Sequence, residues 1–502
     1  MKIQKTSGIL AGMVSLLATT CVMGGSITTI DPPRGMAFKD PVAMANISKI
    51  PGIVEVNLEA KIAPINVNGV TAKLMTYNGT YPAPTIKVKK GDVLKVHFKN
   101  SLPNSGVNAM GETRDLTNLH THGLHVSPKG KSDNIMLSFK SGDTFNYEYD
   151  LSKHSGGNLN WYHPHPHGNS AEQVWGGMAG ALEVADETAA LAGYETHTMM
   201  LKDITLKGSA PAPYVMADSM HGKEGNIIMV NGKVNPVLNM KPGQVQHWKI
   251  VNASNARFYK LSLASHNLQI IGTDGGLLDK PYPQSSILLS PGERIDIMVK
   301  ASATKGYYKL LSSPYATDDK SMMASASSSQ KITLLTVNVT GKVVANKIPA
   351  KINNKAVRLT VPKGTVTRKM VLDMQMMSGM AGMGGMGDTA TINDIAYSST
   401  KAYTAHSKLN SYEIWEIINN SGMDHPFHQH VNPAQVISIT GGDTAYTKFY
   451  TTSPAWKDTV IVPKKGRIKL LVPIKDFTGT TMFHCHILEH EEIGMAGLWD
   501  IK

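Results

Sequence analysis

Cysteine is nearly missing from this chain: there are two in 502 residues, Cys21 and Cys485. A disulfide-stapled fold is therefore excluded, and so is a structural zinc site built on several thiolates. Aromatic residues are scarce at 6%, while glycine is abundant at 45, which disfavours helical bundles and favours β-rich architecture with many turns. Charged residues make up 18%, and no basic run is interleaved with aromatics, so the formal charge of +12 reads as a solvated surface rather than a nucleic-acid footprint. No apolar run is long enough for a comfortable membrane span. The one near the start, Ile9 to Ala18, follows Lys2 and Lys5 and precedes small and polar residues. That is the pattern of an export signal over residues 1–25, without the paired arginines of the twin-arginine route. Lipid attachment at Cys21 is the lesser reading, because the residues before it fit that pattern poorly. Removal of the signal leaves a single thiol, Cys485, for an oxidising compartment, where it is a liability unless something such as a metal occupies it.

What is present is histidine in a particular order. His484-Cys485-His486-Ile487-Leu488-Glu489-His490 is followed by Met495. A strand period of two puts His484 and His486 on one face and Cys485 on the other, so one strand can serve two metal centres. One thiolate, two imidazoles and a weak thioether form the ligand set of a blue-copper site, and one of those imidazoles must come from elsewhere in the chain.

A pattern occurs three times at a period of about 150 to 170 residues, the spacing of ordinary β-sandwich domains. An asparagine turn at Asn78, Asn231 or Asn393 precedes an alternating strand that ends at Asn100, Asn252 or Asn419. The first copy is followed by His120-Thr121-His122-Gly123 and by Trp161-Tyr162-His163-Pro164-His165. The third is followed by His425-Pro426-Phe427-His428-Gln429-His430 and by Phe483-His484-Cys485-His486. The second copy has no such pairs and reads as a spacer. His125, His154, His167, His197, His221, His247, His266 and His406 fit no pattern and read as non-ligands.

With these four His-x-His elements in this order, the chain resembles the three-domain multicopper oxidases of the laccase and periplasmic cuprous-oxidase kind, from about residue 50 to the C-terminus. The resemblance implies an all-β fold of three cupredoxin-like Greek-key β-sandwich domains, expected at 45–187, 190–350 and 355–502. It implies four copper ions. His425, Cys485, His490 and axial Met495 would hold the type 1 ion, and His120 and His428 the type 2 ion. His122, His163, His165, His430, His484 and His486 would hold the type 3 pair. Asp133 and Glu491 fall where the family keeps proton-donating acids, and Asp458 is expected beside the type 1 histidines. The implied activity is one-electron oxidation of a substrate coupled to four-electron reduction of O2 to water, in a periplasmic or secreted monomer with no nucleic-acid partner and no transmembrane segment.

Two substrate classes follow. Met374, Met376, Met377, Met380, Met383 and Met386 lie in a glycine-rich segment with too little bulk for a core, and thioethers select Cu(I). The segment resembles a shortened form of the cuprous-oxidase insert, with Met374 and Met423 at the two methionine positions of its substrate site. Gly379 and Ser421 stand where that subfamily has two aspartates. Cu(I) oxidation in copper detoxification is the first expectation, and oxidation of phenols and aromatic amines the alternative. A non-catalytic copper-storage protein would not need separate thiolate and all-histidine sites. A protein on a degenerate scaffold would have lost ligands, and a zinc hydrolase would show a His-Glu ligand helix.

Overall fold

The computed structural model describes residues 26–502 except 32, 109, 186–187, 319–329, 376–388 and 399. The export-signal expectation, Cys21, Gly379, Met376, Met377, Met380, Met383 and Met386 lie outside the described residues.

Strands dominate, in six main sheets that fall into three consecutive pairs, with a small ribbon between Leu206–Lys207 and Ala210–Pro211. This is the expected architecture of three cupredoxin-like β-sandwich domains. Among the described residues the longest helix, Thr444–Thr452, has nine residues, and no helix is long and apolar enough to cross a membrane. Each pair of sheets contains the same parallel pairing. Ile53–Val67 lies along Val93–Asn100, Glu195–Ile204 along Val245–Asn252, and Val366–Gln375 along Ser411–Asn419.

The asparagines of the sequence repeat explain why it repeats. Asn78, Asn231 and Asn393 all adopt left-handed backbone, with φ of 54°, 50° and 52°, which asparagine tolerates better than most side chains. Their Oδ1 atoms accept the N–H of Glu59, Met200 and Val371, tying each turn to the strand beside it. Asn100, Asn252 and Asn419 are buried at the ends of their strands. Each donates through Nδ2 to two carbonyls of distant segments: Asp115 and Phe139, Arg257 and Leu289, Met423 and Val462. Each also accepts the N–H two residues on. An amide with both donors and its acceptor engaged closes a sandwich edge at no desolvation penalty.

Burial follows position in the molecule. Val93–Asn100 alternates partly and fully buried residues until it reaches Lys99, whereas Val245–Asn252 is buried at every position. The second face of the middle strand is covered by the first domain: Leu159, Trp161, Ala179 and Ala181 pack with Met200, Val251 and Ala253. The middle domain is thus clamped between its neighbours, and the first and third domains meet over it.

Candidate metal centre

Strand register brings the histidines together. His120–His122 pairs antiparallel with Asn158–His163, setting His120 opposite His163. His425–Gln429 pairs antiparallel with Gly479–Cys485, setting His428 opposite His484 and Phe427 opposite Cys485. Alternation then separates two sets: Cys485 and His425 face one side of this strand pair, and His428, His430, His484 and His486 the other. The short helix Leu488–Glu492 turns the chain back so that His490 rejoins the sulfur.

On the sulfur side, Cys485 Sγ lies 3.5 Å from His425 Nδ1 and 3.7 Å from His490 Nδ1, and the two Nδ1 atoms are 3.2 Å apart. Outward contacts fix both rings. His425 Nε2 donates to Ser421 Oγ at 2.7 Å, and His490 Nε2 to the Met220 carbonyl at 3.1 Å, so both Nδ1 lone pairs aim at the sulfur. Met495 is fully buried, and its carbonyl accepts the Cys485 N–H at 2.9 Å. Burial raises the Cys485 thiol far above its ordinary range, holds His425 well below its own, and lowers His490 to about 4. A thiolate here therefore needs a cation beside it.

On the opposite side eight histidines converge. The ligand atoms of His120, His122 and His428, of His122, His163 and His486, and of His165, His430 and His484 lie within 4.8 Å of one another in each group, and all are buried. His484 Nε2 is 3.1 Å from His165 Nε2 and 3.3 Å from His430 Nε2, and His486 Nε2 is 3.2 Å from His122 Nδ1. The Nε2 atoms of His120, His163 and His428 have no protein partner. Their opposite nitrogens donate outward to Asp133 at 3.0 Å, the Pro164 carbonyl at 2.9 Å and the Asp458 carbonyl at 3.0 Å. Burial pushes His120, His122, His163, His430 and His486 well below the usual imidazole range and His165 to about 4. Neutral, dry imidazoles with orphaned lone pairs pointing at one another are what bound metal ions satisfy. His125, His154, His167, His197, His221, His247, His266 and His406 join no such group among the described residues.

Three carboxylates border the imidazoles. Asp133 accepts from His120 and from the Thr121 N–H at 2.9 Å, and burial raises it to about 6. Glu491, also buried, lies 3.1 Å from His484 Nδ1 and 3.5 Å from His165 Nδ1. Asp458 departs from expectation. It is not beside the sulfur-site histidines but 3.2 Å from His122 Nε2 and 3.5 Å from His428 Nδ1. The antiparallel register of Thr459–Val462 on His425–Gln429 pairs His428 with Thr459, which puts Asp458 at the histidine-cluster end.

Family models described as multicopper oxidase match residues 59–189, 194–339 and 365–502. A multicopper oxidase of Staphylococcus haemolyticus is 31% identical over 433 residues, covering 84% of this chain and 82% of that protein. The chain belongs to the multicopper oxidases. It is a copper-dependent oxidoreductase that uses O2 as acceptor. A laccase of Bacillus subtilis is 26% identical, covering 93% of this multicopper oxidase and 97% of its own length. A solved structure described as a metallo-oxidase from Campylobacter jejuni superposes with a TM-score of 0.80 at 29% identity, covering 96% of this chain and 98% of that one.

Residue-type patterns did not reveal several contributors to the oxidase site. Met220 orients the His490 ring, Gly292 lies against the His486 ring and Arg294 bonds Asp458, both from the middle domain, while Ser421, named above only for its place in a substrate site, orients His425. Arg294 does carry a signal: a charged residue opening Ile295-Asp296-Ile297-Met298-Val299, a strand buried at every one of these positions.

Proposed function

We propose that the chain holds four copper ions and oxidises Cu(I) to Cu(II) while reducing O2 to water, in copper detoxification outside the cytoplasm. Cys485, His425, His490 and Met495 would hold the type 1 ion, and His120 with His428 the type 2 ion. His122, His163 and His486 would hold one type 3 ion, and His165, His430 and His484 the other. The bound ions supply one-electron transfer at the sulfur and O2 reduction among the imidazoles. Cys485 joins the two centres covalently, because His484 and His486 are its chain neighbours. Asp133 and Glu491, buried beside cluster histidines, would pass protons toward the space between the rings.

The observation that carries the cuprous reading is the outward side of His425. Its Nε2–H donates to Ser421 Oγ, which also accepts the Met423 N–H at 3.3 Å. Asn420 N donates to the Leu372 carbonyl at 2.9 Å, bringing the strand that carries Met374 alongside. A soft cation offered to Met423 and Met374 would therefore stand next to a ring of the sulfur site. Phenol and aromatic-amine oxidation is the second reading, favoured by a cavity of about 170 Å³ lined by Met110, Tyr214 and Ser219, and by Glu489 and Glu492 of the helix that carries His490.

Oxygen uptake driven by Cu(I) and by a bulky phenol separates the two. Replacing Met423 and the methionines of 376–386 by Leu is expected to lower the Cu(I)-driven rate about tenfold and leave the phenol rate within about twofold, since thioether ligation is lost while bulk is kept. Equal losses on both substrates would remove the cuprous reading.

A further inference from the structure

We propose that Arg294, on the middle domain that contributes no ligand, is a positioning residue for the histidine cluster, acting through Asp458 on His122 and His428. The proposal rests on those two histidines being copper ligands.

Arg294 is wholly buried. It meets Asp458 in a two-pronged pair, Nη1 to Oδ1 at 2.6 Å and Nη2 to Oδ2 at 2.5 Å. The remaining N–H groups are also engaged: Nε donates to Leu159 O at 3.0 Å, Nη1 to Gly292 O at 3.1 Å and Nη2 to Asp274 O at 3.2 Å. A planar guanidinium with every N–H placed has one orientation, and a lysine cannot reproduce it. Asp458 passes that orientation on. Its Oδ1 accepts His122 Nε2–H at 3.2 Å and Thr459 Oγ–H at 2.9 Å, and its backbone carbonyl accepts His428 Nδ1–H at 3.0 Å. These two contacts leave His122 Nδ1 and His428 Nε2 as the free lone pairs, which are the atoms that face the cluster.

Two glycines are shaped around the same contact. A Cβ on Gly123, directly after His120-Thr121-His122, would stand 2.3 Å from Arg294 Nη2, and the residue holds φ at +97°. A Cβ on Gly292 would stand 2.7 Å from the His486 ring. The first domain clears space for the arginine, the middle domain supplies it, and the third domain relays it. A plain interdomain ion pair requires none of this; Lys457 with Glu293 and Asp274 already makes one nearby without touching a histidine.

The test uses copper-loaded Arg294→Lys and Asp458→Asn. In both, the paramagnetic resonance signal of the all-histidine copper should change while the blue absorption of the sulfur site stays. Turnover should fall about 10- to 100-fold with KM for the reductant unchanged. The double variant should be no worse than the poorer single one. Arg257→Lys, which disturbs a buried arginine bonded to Asp203, Glu224 and the Gly225 carbonyl and to no histidine, is the control and should lower Tm without altering the resonance signal. An Arg294→Lys protein that only loses Tm, with an unchanged signal and turnover, overturns the proposal. If Arg294→Lys does not fold, the near-isosteric Asp458→Asn carries the same readouts. A wild-type protein that binds copper only at the sulfur would instead remove the ligand assignment beneath it.

Discussion

Cys485 changes character most between the empty and the metal-bound chain. Its thiol is buried and its proton is held tightly, yet the Ile487 N–H points at the sulfur at 3.4 Å and two neutral imidazoles face it. Copper binding at this site must therefore expel the thiol proton. Calorimetric titration of the copper-free protein in buffers of different ionisation enthalpy should show one more proton released in the wild type than in Cys485→Ser. The same variant should lose the blue colour and keep the copper of the histidine cluster, which absorption and metal analysis check together; a variant that stays blue refutes the type 1 assignment. Glu489 offers a second test in the copper-free protein. Burial raises it from 4.5 to about 7, against hydrogen bonds from Asn255 and Tyr214. The native chain thus binds this proton more tightly than the unfolded one, so the stability it contributes is present below pH 4.5 and is lost as pH rises toward 7. The difference corresponds to on the order of 3 kcal/mol. Glu489→Gln removes that contribution and should flatten the fall in Tm between those pH values.

Among the elements, the strand-ending asparagines are the cheapest to remove and the most informative. Asn252→Ala or Asn419→Ala leaves two buried carbonyls and one buried N–H without partners, at about 1–3 kcal/mol each before relaxation. Denaturant midpoints should fall in both, and more than in an exposed control such as Asn66→Ala. Asn419→Ala should also weaken the blue band, because Asn419 Oδ1 accepts from Ser421 Oγ at 2.8 Å and Ser421 holds His425. These elements were readable in the chain. The asparagine turns, the alternating strands and the parity that divides Cys485 from His484 and His486 are all local. Asp458 was misassigned because its neighbourhood depends on which end of an antiparallel partner it meets, and register is a property of two strands.

For the whole molecule, the consequence is shared ownership of the site. His120, His122, His163 and His165 come from one end of the chain and His428, His430, His484 and His486 from the other, so ions bound among them cross-link the first and third domains. Bound ligand stabilises by mass action only the state that binds it. Removing copper by a Cu(I) chelator with reductant should therefore lower the thermal transitions of both outer domains together, read by scanning calorimetry. In Cys485→Ser with its histidine copper intact, most of that stabilisation should persist.

Ligand identity, strand periodicity and the threefold repeat are written locally, because residue type sets donor chemistry and the backbone sets the period of two. Sequence alone therefore determined the candidate donors and the β-sandwich architecture. The tertiary structure decided which nitrogen of each ring looks inward, which carboxylate stands behind which histidine, and that a ligand-free domain reaches the cluster through Gly292 and Arg294. Those depend on acceptors brought from segments far apart in the chain, and distance along a polypeptide carries no information about distance across a packed interface.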